Sequence, residues 1–340
     1  MSHRTLDFTV DVDDPLRLDR FLTDKLGAVP ELRGTSRSQV KILIESGVVC
    51  VDGAAIRKAG TPLRPGAVVV VALTEQAPSH LPPFETPLQI LYEDEAVVVI
   101  DKPANLTMHP GAGNRDQTLV NALVAHFQRG VGVQAAPELF RCEGGAGALR
   151  PGVVHRLDRD TTGVVVVAKT AAALHHLSRQ FAARSVGRGY LALVFSTPRG
   201  LRAVNTADTG TIDAPIGRHP TRRTEMAIVP EGRRAVTHWQ VRERFSYGTL
   251  VEARLETGRT HQIRVHFNSI GCPVIGDRTY GDFSGLPLAL QRSGEKFGRQ
   301  ALHAYRLEFE HPTRGERLTF EGALPHDFLQ LVESFRKERG

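Results

Sequence analysis

Apolar residues near the start of the chain recur first at helical spacing and then in short runs. The two helical sets are Leu18, Phe21, Leu22 and Leu26, then Val40, Leu43 and Ile44. Each set predicts a short amphipathic helix. After Gly47 the apolar residues alternate around an Asp52-Gly53 turn and continue in the run AVVVVAL at 67–73, which is typical of a small hairpin-rich sheet. We therefore expect residues 1–74 to form a compact domain of two helices and a sheet.

A proline-rich stretch follows this first domain. Residues 74–87 carry four prolines and no apolar periodicity, as expected of an extended linker. We assign the linker to residues 75–88, a second domain to residues 89–330, and a C-terminal tail to residues 331–340.

The second domain alternates strand-like and helix-like segments. Strands are predicted near 96–100, 163–168, 190–195, 249–256 and 262–267, and helices near 117–128 and 171–184. This mixture indicates the α+β class. The Gly/Ala-rich stretch at 129–149 and the segment at 282–300 are expected to be surface insertions.

The charge balance favours an anionic partner. Lys and Arg outnumber Asp and Glu by 43 to 37, and the isoelectric point is about 9.5; nucleic acid would explain this excess, and so would an ordinary basic surface. Cys50, Cys142 and Cys272 show no paired spacing, which argues against a disulfide framework or a thiolate metal cluster. The longest apolar run, 67–73, is far too short to span a membrane. With no signal-like apolar segment near the start, we expect a cytoplasmic protein with no membrane contact.

The densest group of polar residues lies at 155–163, His-Arg-Leu-Asp-Arg-Asp-Thr-Thr-Gly, just before a valine-rich strand. In an extended chain Arg156 and Asp158 share one side while Leu157 faces the other. An arginine beside an aspartate keeps the carboxylate ionised, as a nucleophile or a general base requires. A structural ion pair at the strand entrance, with Thr161 as a turn residue, would use the same residues.

A second polar group, at 256–266, is Glu-Thr-Gly-Arg-Thr-His-Gln-Ile-Arg-Val-His. As a strand it would place His261 and His266 on opposite faces, which argues against a metal site built on them. Arg264 lies between apolar neighbours and is the arginine most expected to be buried. A buried guanidinium requires a carboxylate or phosphate partner, and a purely structural ion pair is the alternative to a site.

Two weaker segments complete the candidates. Asp101-Lys102-Pro103 and His109 belong to a strand and the turn-rich loop after it, which a structural connection explains at least as well as a site. Tyr190 opens a strand, where its ring can pack in the core or stack on a base. The chain has no phosphate-binding loop, dinucleotide glycine fingerprint or zinc signature. We therefore expect catalysis with no bound cofactor and no metal.

Six segments, taken in order, resemble the RluA-type pseudouridine synthases. They are DKPANLTMHPG at 101–111, GVVHRLDRDTTGVVVVAKT at 152–170, YLALV at 190–194, ETGRTHQIRVHF at 256–267, GCPVIGDRTYG at 271–281 and ALHAYRLEFEHP at 301–312. The first domain, with LRLDRFLTDKL at 16–26, resembles the RNA-binding domain named for the fourth small-subunit ribosomal protein. The two domains together resemble the RluD and RluC subgroup, whose substrates are large-subunit ribosomal RNA. The chain departs from that pattern at Gly187 and Gly189, where the family commonly has charged residues before the tyrosine.

The resemblance implies a fold and a set of residue roles. The fold is a mixed, largely antiparallel sheet of the pseudouridine synthase type, preceded by a small α/β RNA-binding domain. Asp158 matches the catalytic aspartate, Arg264 the arginine paired with it, and Tyr190 the active-site tyrosine. The residues expected to bind the substrate nucleotide are Arg156, His155, Thr161 and His109. The implied reaction isomerises uridine to pseudouridine in RNA without a cofactor.

In the first domain, Arg37 and Lys41, with Arg20 nearby, are the predicted phosphate contacts; ordinary surface charge is the alternative.

The expected partner is large-subunit ribosomal RNA or its assembly intermediate, with no obligatory protein partner. Transfer RNA is the alternative substrate. A hydrolytic glycosylase and a noncatalytic RNA-binding protein are the competing functions, and a metal-dependent hydrolase is disfavoured by the spacing of the histidines.

Overall fold

In the computed structural model the chain forms two compact units, with the boundary between His80 and Leu81. The residues that it describes are 3–11, 16–29, 37–74, 81–111, 113–129, 151–195, 204 and 207–338. Residues 75–80 of the expected linker lie outside them, as does nearly all of the expected insertion at 129–149. Residues 81–88 contain no helix or strand, but Leu81 is buried in the core of the larger unit. This half of the expected linker is therefore part of that unit.

The first unit contains the two predicted helices and a sheet. Its elements are β1 His3–Thr9, β2 Leu16–Arg17, α1 Leu18–Ala28, α2 Arg37–Ser46, β3 Val49–Val51, β4 Ala54–Ala55, β5 Pro62–Leu63 and β6 Val68–Thr74. β1, β6, β3 and β4 lie in that order in one antiparallel sheet, and β2 pairs with β5. Leu22 and Ile44 of the helices and Val71 of the sheet are buried in one core. Strand β1 is absent from the predicted elements, although Leu6 and Phe8 alternate with exposed residues along it.

The larger unit is built on one mixed sheet flanked by helices. Its helices are α3 Leu119–Gln128, α4 Ala171–Ala183, α5 Gln262–Ser269, α6 Leu288–Phe297 and α7 His326–Lys337. Its strands are β7 Gln89–Glu93, β8 Val97–Lys102, β9 Thr162–Ala168, β10 Gly187–Val194, β11 Thr209–Asp213, β12 Ile216–Arg218, β13 Met226–Ile228, β14 Val236–Phe245, β15 Gly248–Leu255, β16 Leu302–Glu310 and β17 Arg317–Glu321.

The main sheet has the order β11-β14-β15-β10-β16-β9-β8-β7, and β17 pairs with β16. The pair β16 and β9 is parallel, and the other pairs of this sheet are antiparallel. The expected α+β fold with a mixed, largely antiparallel sheet is confirmed. β12 and β13 form a separate two-stranded ribbon.

The valine runs of β8 and β9 are buried on both faces of this sheet. Alternate side chains of a strand point to opposite faces, and the two faces meet two separate cores. Val98 and Val165 pack in the core that contains α3, whereas Val99 and Val166 pack in the core that contains α4. Burial on both faces explains why these strands are continuous apolar runs rather than alternating ones.

The segment at 262–267 is a helix, so the strand prediction there is wrong. Ile263 and Phe267, four residues apart, lie on the same side of α5 and pack in the larger core. The polar residues between them are buried as well, because each has a hydrogen-bonding partner. Apolar residues at every second position misled the prediction, since residues 262–267 are all buried and leave no exposed face to give a helical period.

Two further expectations about the larger unit are wrong. The tail expected from residue 331 lies mostly within α7, which buries Leu331 and Phe335 in the core. The segment at 282–300 is more than a surface insertion, because Leu286 and Leu290 are buried where it contributes α6. Both segments are rich in polar residues, because each helix has one apolar face and one exposed polar face. This polar composition led to the wrong expectation.

Candidate active site

Asp158 lies in the loop that leads into β9. Leu157 is buried in the core, and Arg156 is exposed on the other side, as an extended chain predicts. The backbone N–H of Thr161 donates to the carbonyl oxygen of Asp158 over 3.1 Å, and the amide of Gln300 donates to the Thr161 hydroxyl over 3.0 Å. These contacts fix the turn that follows the aspartate.

Lys102 joins this loop to the loop after β8. Its Nζ donates to the carbonyl oxygens of Pro103, Leu106 and Arg159 over 2.8, 2.9 and 3.0 Å, and the residue is fully buried. Burial lowers the pKa of Lys102 to about 7, whereas three carbonyl acceptors favour the ammonium form, which has one N–H for each. These contacts agree with a structural role for the Asp101-Lys102-Pro103 segment.

Arg264 of α5 contacts two carboxylates at once. Its Nη1 donates to Oδ2 of Asp158 over 3.0 Å, and its Nε and Nη2 donate to Oδ2 and Oδ1 of Asp277 over 2.7 and 2.8 Å. Burial opposes the charge of Arg264, but the hydrogen bonds and charge of Asp277, supported by Asp158, raise its pKa above the ordinary value. The buried guanidinium expected at Arg264 is therefore present, and it is Arg264 rather than Arg156 that pairs with Asp158.

His261 faces the other oxygen of Asp158. Its Nε2 lies 3.9 Å from Oδ1 of Asp158, and its Nδ1 lies 2.7 Å from the hydroxyl of Tyr280. Burial lowers the pKa of His261 below the ordinary histidine value, so the ring is neutral at neutral pH. Among the residues described, none donates a hydrogen bond to Oδ1, which leaves this oxygen available for chemistry.

Tyr190 comes from β10, in the middle of the main sheet. The residue is 7% exposed and packs in the larger core. Burial raises the pKa of Tyr190 above its ordinary value, so the phenol keeps its proton at neutral pH. The ring and the hydroxyl are thus presented by a rigid strand rather than by a loop.

These residues surround one cavity of about 520 Å³, within the usual range of about 300–1,000 Å³ for small-molecule sites. All seven residues predicted for the larger unit line it: Asp158, Tyr190, Arg264, Arg156, His155, Thr161 and His109. Two of them also have structural contacts. His155 accepts the Val166 N–H through Nε2 over 3.0 Å and stacks on Phe181 with ring centroids 4.8 Å apart, and Thr161 is only 2% exposed.

The sequence and the fold were compared with known proteins. Residues 96–269 match the family model described as RNA pseudouridylate synthase. A protein of Xanthomonas campestris, named ribosomal large subunit pseudouridine synthase D, is 45% identical over 89% of this chain and 86% of its own length. The protein of the same name from Pseudomonas aeruginosa is 44% identical, with 89% of each chain covered. The chain belongs to the RNA pseudouridylate synthase family. It is an RNA pseudouridine synthase, an isomerase.

A solved human structure agrees with this assignment. The structure named Human RNA Pseudouridylate Synthase Domain Containing 4 superposes with a TM-score of 0.55 at 26% identity, covering 73% of the synthase and 93% of the human chain.

Four residues in or next to the site have no role that the sequence predicts. They are Lys102, His261, Asp277 and Tyr280. Asp277 and Tyr280 lie in the GCPVIGDRTYG segment, where an aspartate between apolar and turn residues is the only available signal. Its contact with Arg264 joins positions 13 residues apart, and only the fold places the loop of Asp277 against α5.

Arginines dominate the rim of the cavity. Among the described residues that line it, six are arginines, Arg156, Arg184, Arg188, Arg233, Arg259 and Arg264, and the carboxylates are Asp158 and Glu256. Glu256 pairs with Arg184 over 2.7 Å. Within the described part of the chain, Arg156, Arg188 and Arg259 have no carboxylate within ion-pair distance. The open mouth of the synthase cavity is therefore strongly basic.

Two of these arginines, Arg188 and Arg259, have pKa values below the ordinary arginine value. Burial lowers the pKa of Arg188 below its ordinary value. Burial also lowers the pKa of Arg259, and the positive charges of Arg233 and Arg184 add to that shift. The energetic cost of placing these charges together would be offset by a bound anion.

The three phosphate contacts predicted in the first unit of the synthase differ in their surroundings. Arg37 donates to Oδ2 of Asp19 over 2.8 Å, and Asp19 is buried, so Arg37 has a structural contact as well. Lys41 is exposed and lies 3.6 Å from Glu45, one helical turn away. Arg20 is exposed. All three residues are exposed, and Arg37 differs from the other two by its hydrogen bonds to a buried carboxylate.

The described ranges of the synthase contain neither a metal-binding cluster nor a membrane-spanning helix. Within those ranges, no cluster of three or more His, Cys, Asp or Glu side chains is arranged to hold a metal ion. The helices described there include none with the length and apolar character needed to cross a membrane.

Proposed function

We propose that this synthase isomerises uridines at specific positions of large-subunit ribosomal RNA, with the carboxylate of Asp158 as the reacting group and no bound cofactor. The relatives from Xanthomonas and Pseudomonas carry that substrate in their names. The observation that carries the proposal is the state of Asp158. Arg264 holds one of its oxygens over 3.0 Å, and the other oxygen has no hydrogen bond from any described residue.

The reaction needs one carboxylate and no exchange of electrons with a cofactor. The bond from ribose C1′ to uracil N1 breaks, the base rotates, and a bond forms from C1′ to C5. The proton on C5 is lost and N1 gains one, so the atoms balance. Cleavage builds positive character on the sugar, which a nearby carboxylate stabilises or attacks. Attack at C1′ and removal of a neighbouring proton would both use Oδ1 of Asp158.

The cavity suits a nucleotide that has left the RNA stack. Turning a uridine out of the stack costs a few kcal/mol. Tyr190 offers a ring for stacking on the base, and Arg156, exposed beside Asp158, can hold the flipped nucleotide or fill its vacated place. His155, Thr161 and His109 form the wall around them. Enclosing the detached base favours its re-addition to the sugar over loss to water.

The basic rim suits the RNA backbone. Arg188 and Arg259 have no carboxylate partner among the described residues, and Arg259 also lies near the positive charges of Arg233 and Arg184. Phosphodiester groups would relieve that repulsion and would bind through charge-assisted hydrogen bonds.

The first unit would add a second RNA contact. Arg20, Lys41 and Arg37 are exposed basic side chains in the first part of the two helices, and we infer that they bind RNA phosphates. Such a protein would act in the cytoplasm, on free ribosomal RNA or on an assembling subunit.

Chemical mapping of pseudouridine in ribosomal RNA tests the proposal. Cells that lack the synthase are complemented with the wild type or with Asp158→Asn, which keeps the side-chain shape and removes the charge. The expected result is that defined large-subunit positions lose pseudouridine in the deletion strain and regain it only with the wild type. Asp208→Asn, an exposed aspartate paired with Arg244, is the matched control and should restore every position.

Each other result would replace the proposal with a different one. Loss of pseudouridine in transfer RNA alone would change the substrate. Free uracil and abasic sites in RNA treated with the purified protein would indicate a hydrolytic glycosylase. Full complementation by Asp158→Asn would indicate an RNA-binding protein in which the aspartate has no catalytic part.

A further inference from the structure

His261 has a backbone conformation that residues other than glycine seldom adopt. It is the residue just before α5, with φ 57° and ψ 20°, in the left-handed region. Such a residue costs on the order of 1–3 kcal/mol, and it persists where the surrounding structure fixes it, often at functional sites. The reaction proposed for Asp158 uses no group of this side chain.

The neighbouring residue holds the backbone of His261 in place. The Gln262 side chain accepts the Thr257 hydroxyl over 2.9 Å and the Arg259 N–H over 3.0 Å through Oε1. Its Nε2 donates to the carbonyl oxygen of Val236 over 2.9 Å. This network fixes the turn before α5, so the direction of the His261 ring is set by the fold.

The Tyr280 hydroxyl sets the tautomer of the ring. The backbone N–H of Met226 donates to that hydroxyl over 2.9 Å, which leaves the phenolic proton for Nδ1 of His261 at 2.7 Å. With Nδ1 accepting, a neutral ring carries its proton on Nε2. That N–H faces Oδ1 of Asp158 at 3.9 Å.

We propose that His261 is a positioning residue for Asp158, and that its neutral Nε2–H directs the free Oδ1 oxygen toward the reacting ribose. The inference rests on the proposed function and adds a residue to it. At 3.9 Å the contact is longer than a hydrogen bond, so it orients the carboxylate without occupying the oxygen. Arg264 holds Oδ2 over 3.0 Å, and this hydrogen bond together with the nearby Nε2–H of His261 restricts rotation of the carboxylate.

Protonation of His261 would remove this arrangement. The charged and titratable groups that face its ring are Asp158, Arg264, Asp277, Arg156 and Tyr280. A protonated ring carries a hydrogen on Nδ1 as well, so Tyr280 can no longer donate to it, and the charge on Nε2 draws Oδ1 into an ion pair. The reactive oxygen would then be occupied, and activity would fall on the acid side.

The test measures kcat, KM and the pH profile of purified variants on an RNA that the wild type modifies. His261→Gln keeps an N–H donor that does not titrate, His261→Leu removes the donor, and Tyr280→Phe removes the hydroxyl while keeping the ring that lies under Arg264. His175→Gln, an exposed histidine on α4, is the matched control. Thermal unfolding is followed for every variant.

We expect kcat to fall about tenfold in Tyr280→Phe and His261→Gln and about a hundredfold in His261→Leu, as for small misplacements of a catalytic group. KM should stay within about twofold, the melting temperature should stay close to the wild type, and in His261→Gln the acid-side midpoint should move to lower pH. An unchanged kcat, an unchanged acid-side midpoint, or a loss of rate that only follows a loss of stability would each overturn the inference. Wild type and Asp158→Asn are assayed first, so that failure of the proposed function is seen separately, before any His261 variant is compared.

Discussion

Arg264 and Asp277 form a bidentate ion pair beneath the candidate active site, with N–O distances of 2.7 and 2.8 Å. Both side chains are nearly inaccessible, at 7% and 1% exposure. A bidentate contact fixes the plane of the guanidinium, so Nη1 of Arg264 can point only toward Asp158. The position of the reacting carboxylate therefore depends on a second aspartate that lines no part of the cavity.

Replacing that second aspartate should impair both rate and stability. Asp277→Asn removes the charge that offsets the buried Arg264, and breaking a buried pair of this kind costs about 3–5 kcal/mol. We expect a lower melting temperature and a fall in kcat of at least tenfold, since Arg264 loses its fixed plane. Thermal unfolding and initial rates measure the two effects. Asp282→Asn, an exposed aspartate in the same loop region, should change neither, and a normal Asp277→Asn enzyme would contradict this account.

Lys102 should matter through the loops that it joins. Lys102→Met keeps the volume and removes three hydrogen bonds to carbonyl oxygens, leaving buried acceptors unsatisfied at about 1–3 kcal/mol each. Because one of these carbonyls is that of Arg159, next to Asp158, we expect kcat to fall together with the melting temperature. Lys296→Met, on the exposed side of α6, controls for loss of charge. Full activity with a lowered melting temperature would show that the loop keeps its position without Lys102.

The sequence predicts the main residues of the site better than it predicts the residues that hold them in place. Asp158, Tyr190 and Arg264 line one cavity, as the motif resemblance implies. The pairing of Arg264 with Asp277 and the contacts of Lys102 join separate loops of the chain, and neither periodicity nor composition predicts such contacts.

The fold shows the same division between local and distant signals. Amphipathic helices such as α1 and strands buried on both faces such as β9 carry strong local patterns, and they lie where predicted. α5 does not, because residues 262–267 are all buried and the polar ones among them are paired internally. β16 lies in the middle of the main sheet. No strand is predicted there, although charged and apolar residues alternate along it.

The stability of the larger unit should fall in mild acid partly because of His303. This residue is fully buried on β16, where Nδ1 accepts the Thr162 hydroxyl over 2.8 Å, and burial lowers its pKa to about 4. In the unfolded chain a histidine titrates at about 6.5. Between these values the unfolded state binds the extra proton, so stability is complete above about pH 6.5 and is lost as the pH falls toward 4.

At pH 5.5 the contribution of His303 amounts to a loss of about 1.4 kcal/mol relative to pH 7.5. Denaturant unfolding of the wild type and His303→Gln at both pH values measures it. The variant should lose about 1.4 kcal/mol less than the wild type on acidification, whatever its stability at pH 7.5. Equal losses in the two proteins would show that His303 becomes protonated without unfolding the chain.

The basic side chains of the first unit should act on RNA binding and leave the chemistry intact. Arg20→Gln combined with Lys41→Gln removes two exposed charges, and each lost phosphate contact should reduce the slope of log affinity against log salt by about 0.7–0.9. Binding of ribosomal RNA fragments at several salt concentrations measures this slope, and the single-turnover rate at saturating protein should match the wild type. Arg292→Gln, an exposed arginine on α6, is the matched control.

Arg37 should behave differently from these two residues because it contacts a buried carboxylate. It donates to the buried carboxylate of Asp19 over 2.8 Å, so Arg37→Gln should lower the melting temperature of the first unit as well as the salt slope. Arg17 still contacts Asp19 over 3.1 Å, which should keep the loss of stability below the cost of a fully unpaired buried charge. A reduced salt slope with no change in melting temperature would identify Arg37 as a phosphate contact alone. A lowered melting temperature with an unchanged slope would identify it as a structural partner of Asp19, and RNA docking by this unit would then depend on Arg20 and Lys41.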